Sequence, residues 1–90
     1  MRYNDNITHE GIKQLTNLTF LDLRGNNKIT DDVLKKLVNL NSLNLRTNSI
    51  ITNEGLKGLI NLTSLNLINN KIITHEGIEA LTNLKKLKCQ

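Results

Sequence analysis

Apolar residues recur along this chain at two alternating spacings, and the pair of spacings returns every 22 residues. Ile7, Ile29, Ile51 and Ile73 are each followed by threonine, at Thr8, Thr30, Thr52 and Thr74. Leu15, Leu37, Leu59 and Leu81 keep the same period, as do Asn17, Asn39, Asn61 and Asn83. Leu18, Leu40, Leu62 and Leu84 come next, then Leu21, Leu43, Leu65 and Leu87. The column Leu23, Leu45, Leu67 closes on Cys89, and Asn26, Asn48 and Asn70 complete the pattern, with Asn4 in the same register. No insertion interrupts it. A unit that repeats in this way buries its apolar face against its neighbours, which predicts a solenoid.

Each unit has two halves. Leu18-x-x-Leu21-x-Leu23 ends in period-two alternation, which predicts a short strand with one buried face. Ile7, Ile12 and Leu15 sit at helical spacing. Thr8 is placed to cap that helix, and Glu10 lies in its first turn, where a negative charge favours the helix dipole. Asp32, Glu54 and Glu76 hold the equivalent position. Asn17 and its equivalents follow the helix, where a left-handed residue often ends it. The predicted helices are about two turns long and partly 3₁₀ in character.

The segments LTFLDLRGN, LNSLNLRTN and LTSLNLINN resemble the leucine-rich-repeat consensus LxxLxLxxN. ITHEGIKQL, ITNEGLKGL and ITHEGIEAL resemble the ITDEGLxxL half found in F-box-type, ribonuclease-inhibitor-like and effector-type members of that family. The resemblance covers essentially the whole chain. It implies an α/β fold: a right-handed β-α superhelix of four repeats, with parallel strands on the concave face and short helices on the convex face. It further implies a single domain over residues 1–90, with repeats at approximately 7–28, 29–50, 51–72 and 73–90 and a partial repeat at 1–6. In the family the consensus asparagine forms a buried ladder to backbone groups, a role that falls here on Asn26, Asn48, Asn70 and Asn4. The implied function is non-catalytic protein binding through the concave face. Two departures stand out: dedicated capping segments are not visible, and four repeats make a small concave surface. Self-association through uncapped ends, or service as part of a larger effector or adaptor, is therefore the alternative reading.

Composition narrows the picture. The net charge of +4 and pI near 9.5 are mildly basic, below what a typical nucleic-acid domain carries, and nucleic acid is not the expected partner. One cysteine excludes an internal disulfide, and no zinc-type spacing occurs. No apolar run approaches the roughly 20 residues of a membrane span. The segment MRYNDN lacks the apolar stretch of a signal peptide, so an intracellular location is expected, the host cytoplasm included should the chain be an effector. Absent proline and scarce aromatics suit uniform layers.

The candidate contact surface follows from the strand alternation. One concave column is Phe20, Ser42, Ser64, Lys86; the next is Asp22, Asn44, Asn66, Lys88; the third is Arg24, Arg46, Ile68, Gln90. Four cations against one acid favour a protein partner with an acidic surface, weakened by salt. Phe20 and Arg24 are residue types that anchor interfaces. Lys85, Lys86 and Lys88 also suit an edge strand that discourages further pairing. His9 and His75 share a column three repeats apart, roughly 14 Å by strand spacing, too far to share a metal. No cofactor is implied. Cys89 is expected as a buried stand-in for leucine. Asn6, Asn17 and Asn61 match the N-glycosylation pattern as a by-product of the repeat. Gly11, Gly55 and Gly77 share a column that Val33 completes, read as close packing between turns. Glu10, Glu54 and Glu76 form one column rather than a catalytic pair, and no serine or cysteine has a histidine in register for a triad.

Overall fold

The computed structural model describes residues 15–89. The expectations for Asn4, Asn6, Thr8, His9, Glu10, Gly11 and Gln90 fall outside that range. The described chain runs β1 (Phe20–Asp22), α1 (Asp31–Leu34), β2 (Ser42–Asn44), α2 (Asn53–Leu56), β3 (Ser64–Asn66), α3 (His75–Ile78) and β4 (Lys86–Lys88). The strands form one parallel sheet in sequence order, and each residue pairs with the residue one repeat on, as Leu21 does with Leu43 and Leu43 with Leu65. The observed architecture is an α/β repeat solenoid.

The strands are short, but the pairing reaches beyond them. Asn41 and Ser42 both donate backbone N–H groups to the Thr19 carbonyl, at 2.7 and 3.0 Å. Past the strand, Leu23 N–H donates to the Asn44 carbonyl at 2.9 Å. The same bonds recur one repeat later at Thr63, Ser64 and Leu45.

The core is a stack of layers built on repeated positions. Ile29 and Ile51, Leu34 and Leu56, Leu37 and Leu59, and Leu40 and Leu62 are all 0% exposed. Each such side chain contributes about 1.5–3 kcal/mol by leaving water. Among the described residues β4 pairs on one side only, and Leu87 there is 40% exposed where Leu65 is 1%.

The helices are one turn long rather than two. After α1 the chain closes with tight i→i+3 bonds, Lys36 N–H to the Val33 carbonyl and Leu37 N–H to the Leu34 carbonyl. Leu59 N–H to Leu56 and Leu81 N–H to Ile78 repeat the second of these. The tighter winding brings the leucine at the end of each helical half back toward the sheet within three residues. The first-turn acids Asp32, Glu54 and Glu76 are where the dipole argument puts them.

Thr30, Thr52 and Thr74 are the N-cap residues, with extended backbone. Thr52 accepts the Glu54 N–H on its hydroxyl at 3.3 Å. The stronger bonds run between turns. The Asp31 carboxylate accepts the Thr52 N–H at 2.8 Å and the Thr52 hydroxyl. Asn53 accepts the Thr74 N–H at 3.1 Å and donates to the Thr74 hydroxyl at 2.8 Å. The first residue of each helix thus fastens the cap of the next. Glycine leaves room for these bonds: a Cβ on Gly55 would crowd Asp31 Oδ1, and one on Gly77 would crowd Asn53 Oδ1, so the carboxylate or the amide would have to move.

Two asparagine ladders cross the repeats. Asn48 is 1% exposed, and its Nδ2 donates to the Leu23 and Asn26 carbonyls at 3.0 Å each. Its Oδ1 accepts from Ile50 and Ile51 N–H at 3.0 and 2.9 Å. Asn70 repeats the arrangement against Leu45 and Asn48. The second ladder corrects an expectation. Asn39, Asn61 and Asn83 do not end helices in the left-handed region; their Nδ2 atoms donate to the carbonyls of Thr16, Val38 and Ile60. Among the described residues the positive φ values belong instead to Gly25, Thr47 and Asn69, one column at the strand exit.

Candidate functional site

The sheet face away from the leucine core presents the expected columns. Phe20, Ser42, Ser64 and Lys86 lie in pairing register, as do Asp22, Asn44, Asn66 and Lys88. All of these except Asp22 line a shallow open depression of about 290 Å³, with Leu43 and Leu65 also contributing to its lining. Arg24, Arg46 and Ile68 follow just past the strand ends. Phe20 is 45% exposed, while Lys86, Lys88 and Arg46 are also exposed and Ile68 is half-buried.

Asp22 departs from the expected open position. It is buried, and the Arg24 side chain closes over it, with Nε 3.2 and 3.1 Å from its two oxygens. The Arg24 backbone N–H donates to the same carboxylate at 3.0 Å. A desolvated carboxylate needs such donors, and the guanidinium supplies charge as well. The pair cancels locally, so the positive character of this face rests on Arg46, Lys86 and Lys88.

Asn44 and Asn66 repeat the Asp22 geometry without the charge. Asn44 Oδ1 accepts the Arg46 N–H at 3.0 Å, and Asn66 Oδ1 accepts the Ile68 N–H at 3.0 Å. Each side chain holds the tight turn that leaves its strand. The turn bond engages one lone pair of each amide oxygen, and Nδ2 keeps its two N–H donors. The depression therefore carries amide donors from Asn44 and Asn66, hydroxyls from Ser42 and Ser64, and ammonium groups from Lys86 and Lys88. Strand alternation found this column; its turn-holding role was hidden, because an asparagine that faces a groove and one that closes a turn look the same in sequence.

The remaining candidates are scattered. His75 is exposed on α3, with Nε2 3.8 Å from Glu79 Oε2. Among the described residues no three His, Cys, Asp or Glu side chains gather as a metal site. Cys89 is exposed rather than buried, since it follows β4, the outer strand. On the helix side Lys57 Nζ lies 2.6 Å from Glu54 Oε2. The hydrogen bond and charge of Lys57 lower the Glu54 pKa, and those of Glu54 raise that of Lys57.

Residues 14–38, 36–60 and 58–81 each match the family model described as Leucine Rich repeat. The chain belongs to the leucine-rich-repeat family. Leucine-rich repeats generally serve as protein-interaction modules and are typically non-catalytic. No curated protein matches the chain. No helix among the described residues is long and apolar enough to cross a membrane. Within this leucine-rich-repeat framework, the columns facing the depression repeat in the middle turns, at Ser42 and Ser64 and at Asn44 and Asn66, and change at the outer ones, to Phe20 and Asp22 on β1 and Lys86 and Lys88 on β4.

Proposed function

We propose that this chain is a non-catalytic protein-interaction module that binds its partner through the concave sheet face, and that the partner presents an acidic surface there. The observation that carries the reading is the division of labour between columns. Leucines and ladder asparagines are consumed by the fold, while Phe20, Ser42, Ser64, Arg46, Lys86 and Lys88 are turned away from the core. Leucine-rich repeats in general support a protein rather than a small molecule as the ligand, and an open depression favours an extended contact over an enclosed one.

The test places a photo-crosslinking amino acid at Ser64, on the sheet face, or at Glu54, on the helix side. Each protein is irradiated in a lysate of the producing cells. Adducts with another protein are expected from position 64 and not from 54, and they should fade as salt rises. An Arg46→Glu substitution should abolish them without altering the melting temperature. Adducts formed only from position 54 would move the contact to the helices. Adducts only between copies of the chain would make this face a self-association surface.

A further inference from the structure

The hydrogen-bonding sense of the depression says more about its ligand than its charge does. The Asn44 and Asn66 oxygens accept the Arg46 and Ile68 N–H groups, and the two amides keep their Nδ2 donors. Ser42 and Ser64 add hydroxyls, and Lys86 and Lys88 add ammonium groups that have no acceptor capacity. The acid that would break this pattern, Asp22, is folded into its own turn by Arg24. The amide and ammonium donors, with hydroxyls that can also donate, match acceptor atoms such as peptide carbonyls and carboxylates. It is also polar along its length. Phe20 stands on β1, and Lys86 stands in the same column on β4, three strand spacings away. That distance is about 14 Å.

Resting on the function proposed above, we infer that this face receives an extended acidic peptide segment that crosses the strands, with an apolar side chain on Phe20 and a carboxylate on Lys86 and Lys88 four residues away. The spacing follows from chain geometry. An extended peptide advances about 3.3 Å per residue and turns alternate side chains to the same face. Residues i and i+4 therefore point the same way and lie about 13 Å apart, close to the separation of the two anchors. Spacings of three or five turn the second side chain away from the sheet. The backbone carbonyls between the anchors pass over the Asn44 and Asn66 donors. Charge complementarity selects glutamate or aspartate for the β4 end and leaves the β1 end, neutralised by the Asp22–Arg24 pair, to the apolar residue.

The experiment is an NMR titration of the ¹⁵N-labelled chain at low salt with serine-based nonapeptides. Each carries one leucine and one glutamate separated by three, four or five residues, in both orders. One order of the four-residue spacing should shift the side-chain NH₂ signals of Asn44 and Asn66 and the backbone amides of Lys86 and Lys88. Its affinity should exceed that of the three- and five-residue spacings at least threefold. Replacing its glutamate by glutamine should weaken it about tenfold. An Asn66→Asp variant, which keeps the acceptor for the Ile68 N–H as Asp22 does for Arg24, should lose binding while its spectrum stays folded; Lys86→Met should weaken binding without disturbing any turn. Equal binding of all spacings, indifference to glutamine, or no response to any peptide overturns the inference. Loss of crosslinking from position 64 is what would overturn the broader reading of the face, so the two failures are separable. A thymidine octanucleotide runs in parallel; if it shifts the same signals at lower concentration than the peptide, the face is a phosphate track and the peptide assignment falls.

Discussion

Asn48 shows how much of this fold hangs on single polar side chains. It is buried, and all four of its short bonds go to backbone groups, two carbonyls of the preceding turn and two N–H groups of its own. Asn48→Leu removes the partners of all four without moving water in, and each stranded buried group costs about 1–3 kcal/mol. The substitution should destabilise the chain by several kcal/mol, read as the shift in urea midpoint, and a loss under about 1 kcal/mol would show that the ladder is dispensable. The glycines make a subtler contrast. On Gly55 a methyl group meets Asp31 Oδ1, which can swing away only by releasing the Thr52 N–H and hydroxyl. On Gly58 the nearest atom is a backbone oxygen at 3.7 Å, ordinary contact. Gly55→Ala should therefore lower the melting temperature, while Gly58→Ala should hold or raise it. If both behave alike, the inter-turn bond from Asp31 contributes nothing.

At the scale of the element, what was legible in the sequence was whatever the 22-residue period repeats. The leucine columns predicted the strands, the buried face and the pairing register, and Thr30, Thr52 and Thr74 marked the helix starts correctly. Helix length was over-read, because apolar residues spaced for a helix serve equally well for one α turn followed by i→i+3 turns. Asn39, Asn61 and Asn83 were misassigned for a related reason. Asparagine is common both in left-handed positions and as a donor to a neighbouring carbonyl, and only the fold shows which is used. The true left-handed column, Gly25, Thr47 and Asn69, varies in residue type and so gave no period to notice. Thr47 is the costly member, a β-branched residue at φ 57°. Thr47→Gly relieves that strain, and although glycine loses more chain entropy on folding, the strain outweighs it at positive φ. The substitution should raise stability by roughly 0.5–1 kcal/mol in a denaturant melt. A loss would mean that the Thr47 hydroxyl bond to the Arg46 carbonyl outweighs the backbone strain.

Across the whole molecule, the candidate contact face is legible in the sequence as a set of positions but not as chemistry. Alternation assigns Asp22, Asn44 and Asn66 to the open side, yet whether a polar group there is free or closes its own turn depends on the backbone two residues on. The leucine layers pose the converse case, since one consensus position has very different worth in different turns. Leu43 and Leu65 are 1% exposed between neighbouring turns, whereas the equivalent Leu87 on β4 is 40% exposed. Truncating a fully buried leucine costs about 2–5 kcal/mol, because it forfeits both the transfer of the side chain from water and the packing around the cavity. Where the side chain is already partly hydrated, the transfer part shrinks and solvent fills the space. Because each turn touches only its neighbours, losing an inner layer also uncouples the turns on either side, whereas loosening an outer one leaves the remaining layers stacked. Leu43→Ala and Leu65→Ala should thus lower the unfolding midpoint steeply and broaden the transition. Leu87→Ala should shift it by less than half as much and leave its cooperativity intact. Equal losses at all three positions would mean that the chain unfolds as one unit in which β4 is packed as tightly as β2, contrary to the exposure of Leu87.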